Sequence, residues 1–357
     1  MIGNNIIQLG GGDGRKLRDS NVEIFRILAT FLVLIIHFSG WFVGGISNPF
    51  DSTKDLSFRM GQMIISSLCI VCVNCFLIIS GWYGIKLKFQ SIWKMYVLLV
   101  CIYVPFQLIT SLYSKSFSII QFGDNLLAFT RESYFVQCYL MLLFLSPVIN
   151  SFFEKYGRKT LSFVLVFWII EIVMENLRDN KSLGFEDGYS LIHFILIYML
   201  ARTASLYKNE ILKISRKKWI TGYFICACLI CICHIVNFKH TWDYSNPIVV
   251  LESFCLFFPF LYKPFYNKKI NWLAGSAFAV YIIHTTPPVY NLLMKIDNYL
   301  LIHLNYWIYL PSYLLVCIIV FFVCIAYDKC REHLLSPISN KLFNILNIRL
   351  KRFFIYE

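Results

Sequence analysis

Seven ionisable side chains, Arg26, His37, Glu171, Glu175, His193, Glu252 and His284, fall inside long apolar stretches of this 357-residue chain, and His234 lies near the end of another. A charge deep in lipid costs at least about 2.5–3.5 kcal/mol, so side chains of this kind are candidates for chemistry. A guanidinium holds phosphate or carboxylate oxygens, and an imidazole exchanges protons near neutral pH. Arg26 and His37 share the stretch RILATFLVLIIH. Eleven residues of α-helix span about 16 Å and leave the two about 20° apart around the axis, hence on one face. The pair could therefore hold an anionic group at one level and exchange protons three turns away. Taken singly, each has a plainer reading: an interfacial anchor for Arg26 and an interhelical hydrogen bond for His37.

A second polar cluster closes the segment NCFLIISGWYGIK, residues 74–86. Ser80 is polar, Gly81 permits close approach or a break, and Trp82 and Tyr83 suit the headgroup level. This end can be an aromatic anchor or one mouth of a cavity. Glu171 and Glu175 are four apart and share a helical face. Either of them, or Glu252, could orient the second ring nitrogen of a histidine base, or be a carboxylate at a loop edge.

The elements that must position these residues are membrane helices. The chain is 58% hydrophobic and 15% charged, with a mean hydropathy of +0.63, whereas soluble domains are near a quarter charged. A bilayer core needs about 20 mostly apolar residues per helix. Apolar runs at 24–46, 60–83, 92–113, 134–153, 161–177, 189–205, 218–238, 247–266, 272–293 and 306–327 predict an all-α, polytopic transmembrane bundle of about ten spans. These runs are continuous rather than alternating, which favours helices over a barrel.

With the N-terminus inside, 24 of the 33 Lys and Arg fall on inner segments and 8 on outer loops, so both termini are expected in the cytoplasm. The net charge of +13 then reflects topology and anionic lipid. The basic residues are spread over many loops, which argues against nucleic acid as a partner. Residues 1–21 read as a flexible cytoplasmic tail and 331–357 as a basic cytoplasmic one. The glycines of LGGGDG open no phosphate-binding helix. The thirteen cysteines, among them Cys69, Cys72, Cys75, Cys226, Cys228, Cys231 and Cys233, lack histidine or carboxylate partners at zinc spacing and read as buried thiols, so no metal is expected.

Three segments together carry a resemblance. SNVEIFRILATFLVLIIH has an arginine, ten residues and a histidine on a first helix; CFLIISGWY ends a second with a Ser-Gly-aromatic step; AVYIIHTTPP places Tyr281 and His284 on a late helix. A looser match is YFVQCYLMLLFLSPVIN, where Tyr134 or Phe135 stands in place of a usual tryptophan. In this order they resemble membrane acyltransferase family 3, the multi-pass polysaccharide O-acetyltransferase type, over about residues 20–327, so that 22–330 would form the acyltransferase domain.

The resemblance implies a protein of the bacterial cytoplasmic membrane that moves an acyl group, usually acetyl, from acetyl-CoA or another acyl-CoA to a hydroxyl of a carbohydrate acceptor. It implies catalytic roles for His37 and His284, with Glu171 and Glu175 as candidate partners, and a donor-binding role for Arg26, Ser80, Gly81 and Tyr83. No permanently bound cofactor is implied. His37 could act as a general base on the sugar hydroxyl or carry the acyl group covalently. A transporter or flippase of lipid-linked sugars is the rival class, but such folds show paired interrupted helices and no second Arg-His helix occurs. A membrane glycosyltransferase would be expected to offer closely spaced acids in an outer loop, where SNPFDSTKDLSFR has only Asp51 and Asp55.

Overall fold

The computed structural model describes residues 18–41, 45–46, 56–127, 134–177 and 184–353. Most of the expected N-terminal tail, Asp51 and Asp55 lie outside the described residues. Within them the chain is helical and forms no strand. Six stretches are long and apolar enough to cross a membrane: Ser20–Gly40, Leu56–Tyr83, Phe89–Ser114, Tyr134–Glu175, Arg216–Ile235 and Trp307–Asn347. Two further apolar helices, Leu191–Leu206 and Pro247–Leu261, are shorter. The expected runs 134–153 and 161–177 fall in one of the six stretches, and the expected run 272–293 is interrupted twice.

Local sequence explains the boundaries. Asp19 caps α1 (Ser20–Ile36) by accepting from the Asn21 N–H at 3.0 Å, satisfying a donor the helix start leaves over. Past Ile36 the helix widens into a π-turn, His37–Trp41. Helices α2 (Leu56–Cys69) and α3 (Cys72–Tyr83) are separated by a short break, and α3 stops at Gly84, whose φ of 73° suits glycine. Two long helices, α4 (Phe89–Ser114) and α6 (Tyr134–Tyr156), flank the short α5 (Ile119–Leu126). A turn at Gly157 leads to α7 (Thr160–Glu171), which continues as a π-turn, Ile172–Leu177.

Ser190 caps α8 (Leu191–Leu206), and the short α9 (Lys208–Lys213) leads to α10 (Arg216–Ile235). Asn246 caps α11 (Pro247–Phe257), with proline at the first position, where no N–H is missed. Gly275-Ser276 separates α12 (Lys268–Ala274) from α13 (Ala277–Thr285), and Thr286 with Pro287 separates α13 from α14 (Pro287–His303). Helix α15 runs unbroken over Tyr306–Phe353. The basic C-terminal segment thus continues a helix, held to α4 by the Trp93 indole, which donates to the Ser339 carbonyl at 3.1 Å.

One core cluster joins α1, α3, α8, α11 and α13, with Phe25, Leu34, Leu77, Ile78, Ile197, Val250, Phe257 and Val280 at 0% exposure. Helices α3 and α8 pack closely, because Gly81 lets α3 meet the α8 backbone: a β-carbon there would lie 2.3 Å from the Tyr198 carbonyl oxygen. Around this core, α6, α7, α10 and α15 turn rows of large apolar side chains outward, among them Phe144, Val166, Phe224 and Phe322. Such a surface suits a hydrocarbon solvent.

Interhelical hydrogen bonds define two ends of the bundle. At the Asp19 end, the Ser20 N–H donates to the Phe265 carbonyl at 2.8 Å, the Asn21 amide to Tyr262 and Lys263, and the Arg158 guanidinium to the Leu206 carbonyl. At the Thr286 end, Gln62 donates to the Ser39 carbonyl and the Tyr309 hydroxyl to Asp297. Arg59, expected in a loop ahead of the second span, is instead fully buried on α2 at this end. The helix begins four residues before the apolar run does.

Candidate active site

His37 opens the π-turn at the end of α1, and His284 lies in the last turn of α13. Their rings meet in the core, 5% and 1% exposed. His37 Nδ1 and His284 Nε2 are 3.1 Å apart, with ring centroids 5.0 Å apart and planes at 41°. Behind them, His284 Nδ1 lies 2.7 Å from the Val280 carbonyl oxygen. A carbonyl oxygen only accepts, so His284 Nδ1 carries a hydrogen. In the neutral ring its Nε2 is then the lone-pair nitrogen and accepts from His37 Nδ1–H. That fixes the His37 tautomer with its lone pair on Nε2, the form a general base or nucleophile requires. The π-turn at this point fits the tendency of such bulges to occur at functional sites. Phe38 stacks on Tyr313 at 6.0 Å, and Tyr281 meets His284 edge-on at 6.0 Å.

Arg26 lies toward the Asp19 end of the same helix, 27% exposed, and donates to the buried carboxylate of Glu23 one turn earlier. Its charge and those of Asp19 and Glu23 reach the hydroxyl of Tyr83, which is exposed. The three α3 candidates take different positions. Ser80 donates to the Phe76 carbonyl at 2.9 Å and lies 3.3 Å from the Tyr139 hydroxyl. Gly81 is the point of contact with α8. Tyr83 is exposed at the helix end.

The carboxylates are organised differently from expectation. Glu171 is fully buried and pairs with His193, Oε1 to Nδ1 at 2.9 Å; His193 Nε2 in turn lies 2.9 Å from Asn74 Oδ1, and the Asn74 amide donates to the Tyr244 carbonyl at 2.9 Å. Because Asn74 gives its NH₂ to a carbonyl, its oxygen faces His193 and needs an N–H there. Glu171, expected as a candidate orienter for His37, thus orients a second imidazole and ties α3, α7 and α8 together. Glu175 sits in the π-turn after α7, buried beside the Ser245 hydroxyl. Glu252 is fully buried on α11, and neither of its oxygens makes a hydrogen bond.

Sequence reasoning recognised His193 as an intramembrane residue but gave it no partner; one interior acid and one interior imidazole on neighbouring helices were the available signal. Away from the histidine pair, Asp187, His240 and Asp243 place three possible cation-ligand atoms within 4.8 Å of one another, with His240 Nδ1 and Asp243 Oδ2 at 2.7 Å. The thirteen cysteines form no disulfide in this structure.

A helical bundle with long apolar helices and outward-facing apolar side chains defines an integral membrane protein, and its core holds a buried histidine pair. The model of the acyltransferase domain of family 3 matches residues 19–328, and the chain belongs to that family. No curated protein and no solved structure matches it.

Proposed function

We propose that this acyltransferase moves an acyl group, most simply acetyl, from a CoA thioester at the Arg26 end to a hydroxyl of a carbohydrate acceptor or its lipid-linked precursor near His37. The observation that carries the reading is the tautomer imposed on His37 by His284 and Val280, on the helix face that also carries Arg26. In this reading the chain crosses the bacterial inner membrane about ten times, with the Asp19 end and both termini in the cytoplasm. The bias of 24 Lys and Arg against 8 supports that orientation.

The chemistry follows from the proton positions. His37 Nε2 takes the proton of the attacking hydroxyl as its oxygen bonds to the thioester carbonyl carbon. The resulting imidazolium keeps Nδ1–H directed at His284 Nε2, which holds the ring in register. When the tetrahedral intermediate collapses, the C–S bond breaks and the CoA thiolate recovers the proton from Nε2. Arg26, about 16 Å away along the helix, is suited to hold phosphates at the surface while the pantetheine arm reaches inward.

The test is mass spectrometry of surface glycans from cells carrying the wild-type chain or His37→Ala, with insertion of both confirmed. The reading expects an ester-bound acyl mass with the wild type and none with the variant. An unchanged ester in His37→Ala cells overturns it.

A further inference from the structure

Arg202, near the end of α8 and not distinguished by sequence from the other basic residues of its segment, is a partly buried, unmatched charge at the Asp19 end. Among the described residues its guanidinium makes no ion pair and donates no hydrogen bond, and its Nε is shielded from solvent. The acids at this end are engaged elsewhere. Glu23 holds Arg26, Glu210 holds Arg158, Asp328 holds Arg331 and Glu332 holds Lys329. Asp19 accepts from the backbone of Asn21 and Phe265, and Glu154 is exposed and makes no ion pair with Arg202. A partly buried guanidinium without an acid is costly unless an anion completes it.

The local fold holds that guanidinium open. It lies against the α-carbon of Gly84, where a β-carbon would come within 3.3 Å of Cζ and Nη1, at a residue whose positive φ already favours glycine. The next residue is clamped on both sides: Ile85 N–H donates to the Tyr198 hydroxyl at 2.9 Å, that hydroxyl donates to Asn150 Oδ1 at 2.7 Å, and the Asn150 amide donates to the Ile85 carbonyl at 2.8 Å. The Ile85 carbonyl is therefore already engaged by Asn150. Tyr83, just before Gly84, lies in the field of Arg26, which places the two arginines at the same end of the bundle. Lys86 and Lys88 follow it, exposed.

We infer that Arg202, held against the Gly84 turn at the same end of the bundle as Arg26, is a second phosphate-binding residue of the donor mouth, and that it takes a phosphate of the acyl-CoA nucleotide. The inference rests on the proposed donor reading. Its planar fork suits two oxygens of one phosphate group. A phospholipid headgroup offers the same chemistry, and the experiment separates the two.

Full-length protein purified in a phosphate-free maltoside detergent is titrated with CoA, for the wild type, Arg202→Gln and Arg202→Lys, and native mass spectrometry counts retained phospholipid. The expected result is a Kd for CoA raised about tenfold or more in Arg202→Gln and less in Arg202→Lys, as loss of a charged hydrogen bond predicts. In transfer assays the KM for acyl-CoA rises far more than kcat falls, a split that a purely structural defect would not give. Wild-type CoA affinity in a folded Arg202→Gln protein overturns the inference, as does loss of a bound phospholipid with CoA affinity intact. Failure of the wild type itself to bind CoA would instead remove the donor reading on which the inference stands.

Discussion

His284 Nε2 faces His37 Nδ1 at 3.1 Å, and the Val280 carbonyl behind His284 decides which nitrogen of each ring carries the hydrogen. The consequence is testable at His284 without touching His37. His284→Ala removes the acceptor that holds His37 Nδ1–H and is expected to lower kcat about 10- to 100-fold, less than the 10²–10⁴-fold typical of losing a general base outright. His284→Gln, whose amide oxygen can accept the same hydrogen, should recover part of the loss. Acyl-transfer rates for the three proteins, normalised to folded protein, check the order; equal rates for the alanine and glutamine variants would show that the acceptor is immaterial.

Gly81 is required by packing. A β-carbon would lie 2.3 Å from the Tyr198 carbonyl oxygen and 2.8 Å from Ala201 Cβ, and both neighbours belong to the body of α8. Gly81→Ala must push α3 and α8 apart, with a cost of about 1–3 kcal/mol or more for overpacking. Thermal unfolding in detergent should show a clear fall in midpoint, and a variant as stable as the wild type would contradict the close crossing.

The buried Glu171–His193 pair yields a prediction about coupling. Removing one partner of a buried hydrogen-bonded pair leaves the other unsatisfied and typically costs about 1–3 kcal/mol, more where that group is charged. Glu171→Ala and His193→Ala should each strongly reduce stability, while the double variant should lose less than the sum. A double-mutant cycle on unfolding midpoints measures this directly. Strict additivity would mean that the 2.9 Å contact carries no coupling.

Much of the site was legible because polar residues in apolar runs are few. His37, His284, Glu171 and His193 all stood out on that ground, and helical arithmetic placed Arg26 and His37 on one face. What single-helix arithmetic cannot supply is which face meets which. His37 and His284 are 247 residues apart, and neither periodicity nor spacing links them; for the same reason Glu171 offered itself as a partner for any interior imidazole. Arg59 was assigned to a loop because hydropathy begins at Met60, whereas the helix starts at Leu56 and buries the arginine. The interruptions at Gly275-Ser276 and Thr286-Pro287 were masked by the apolarity of 272–293, although two consecutive prolines at 287 and 288 are a legible break. Arg202 falls inside the expected run 189–205, but near its end, where an arginine reads as an interfacial anchor; that its guanidinium makes no ion pair appears only in the structure.

Asp297, on α14 outside the spanning stretches, sets a pH dependence. It is fully buried, accepts the Tyr309 hydroxyl on Oδ1 at 2.8 Å, and leaves Oδ2 without a hydrogen bond. Burial pushes its carboxyl up to about 6, against the partial opposition of the Tyr309 hydrogen bond. The unfolded chain holds this group near 3.8, so between these values the folded protein binds more protons than the unfolded one. Stability contributed by Asp297 is therefore greatest below the unfolded value, falls as pH rises through about 4 to 6, and is constant above that window. The total is on the order of 2–3 kcal/mol at about 1.4 kcal/mol per unit. Asp297→Asn keeps an acceptor for Tyr309 without a charge, so its unfolding midpoint should exceed that of the wild type at pH 7.5 and converge with it near pH 4. Unfolding midpoints measured across pH 4–8 in detergent test this, and a wild-type midpoint equal to or above that of the variant at pH 7.5 would mean that the carboxylate has a compensating partner when charged.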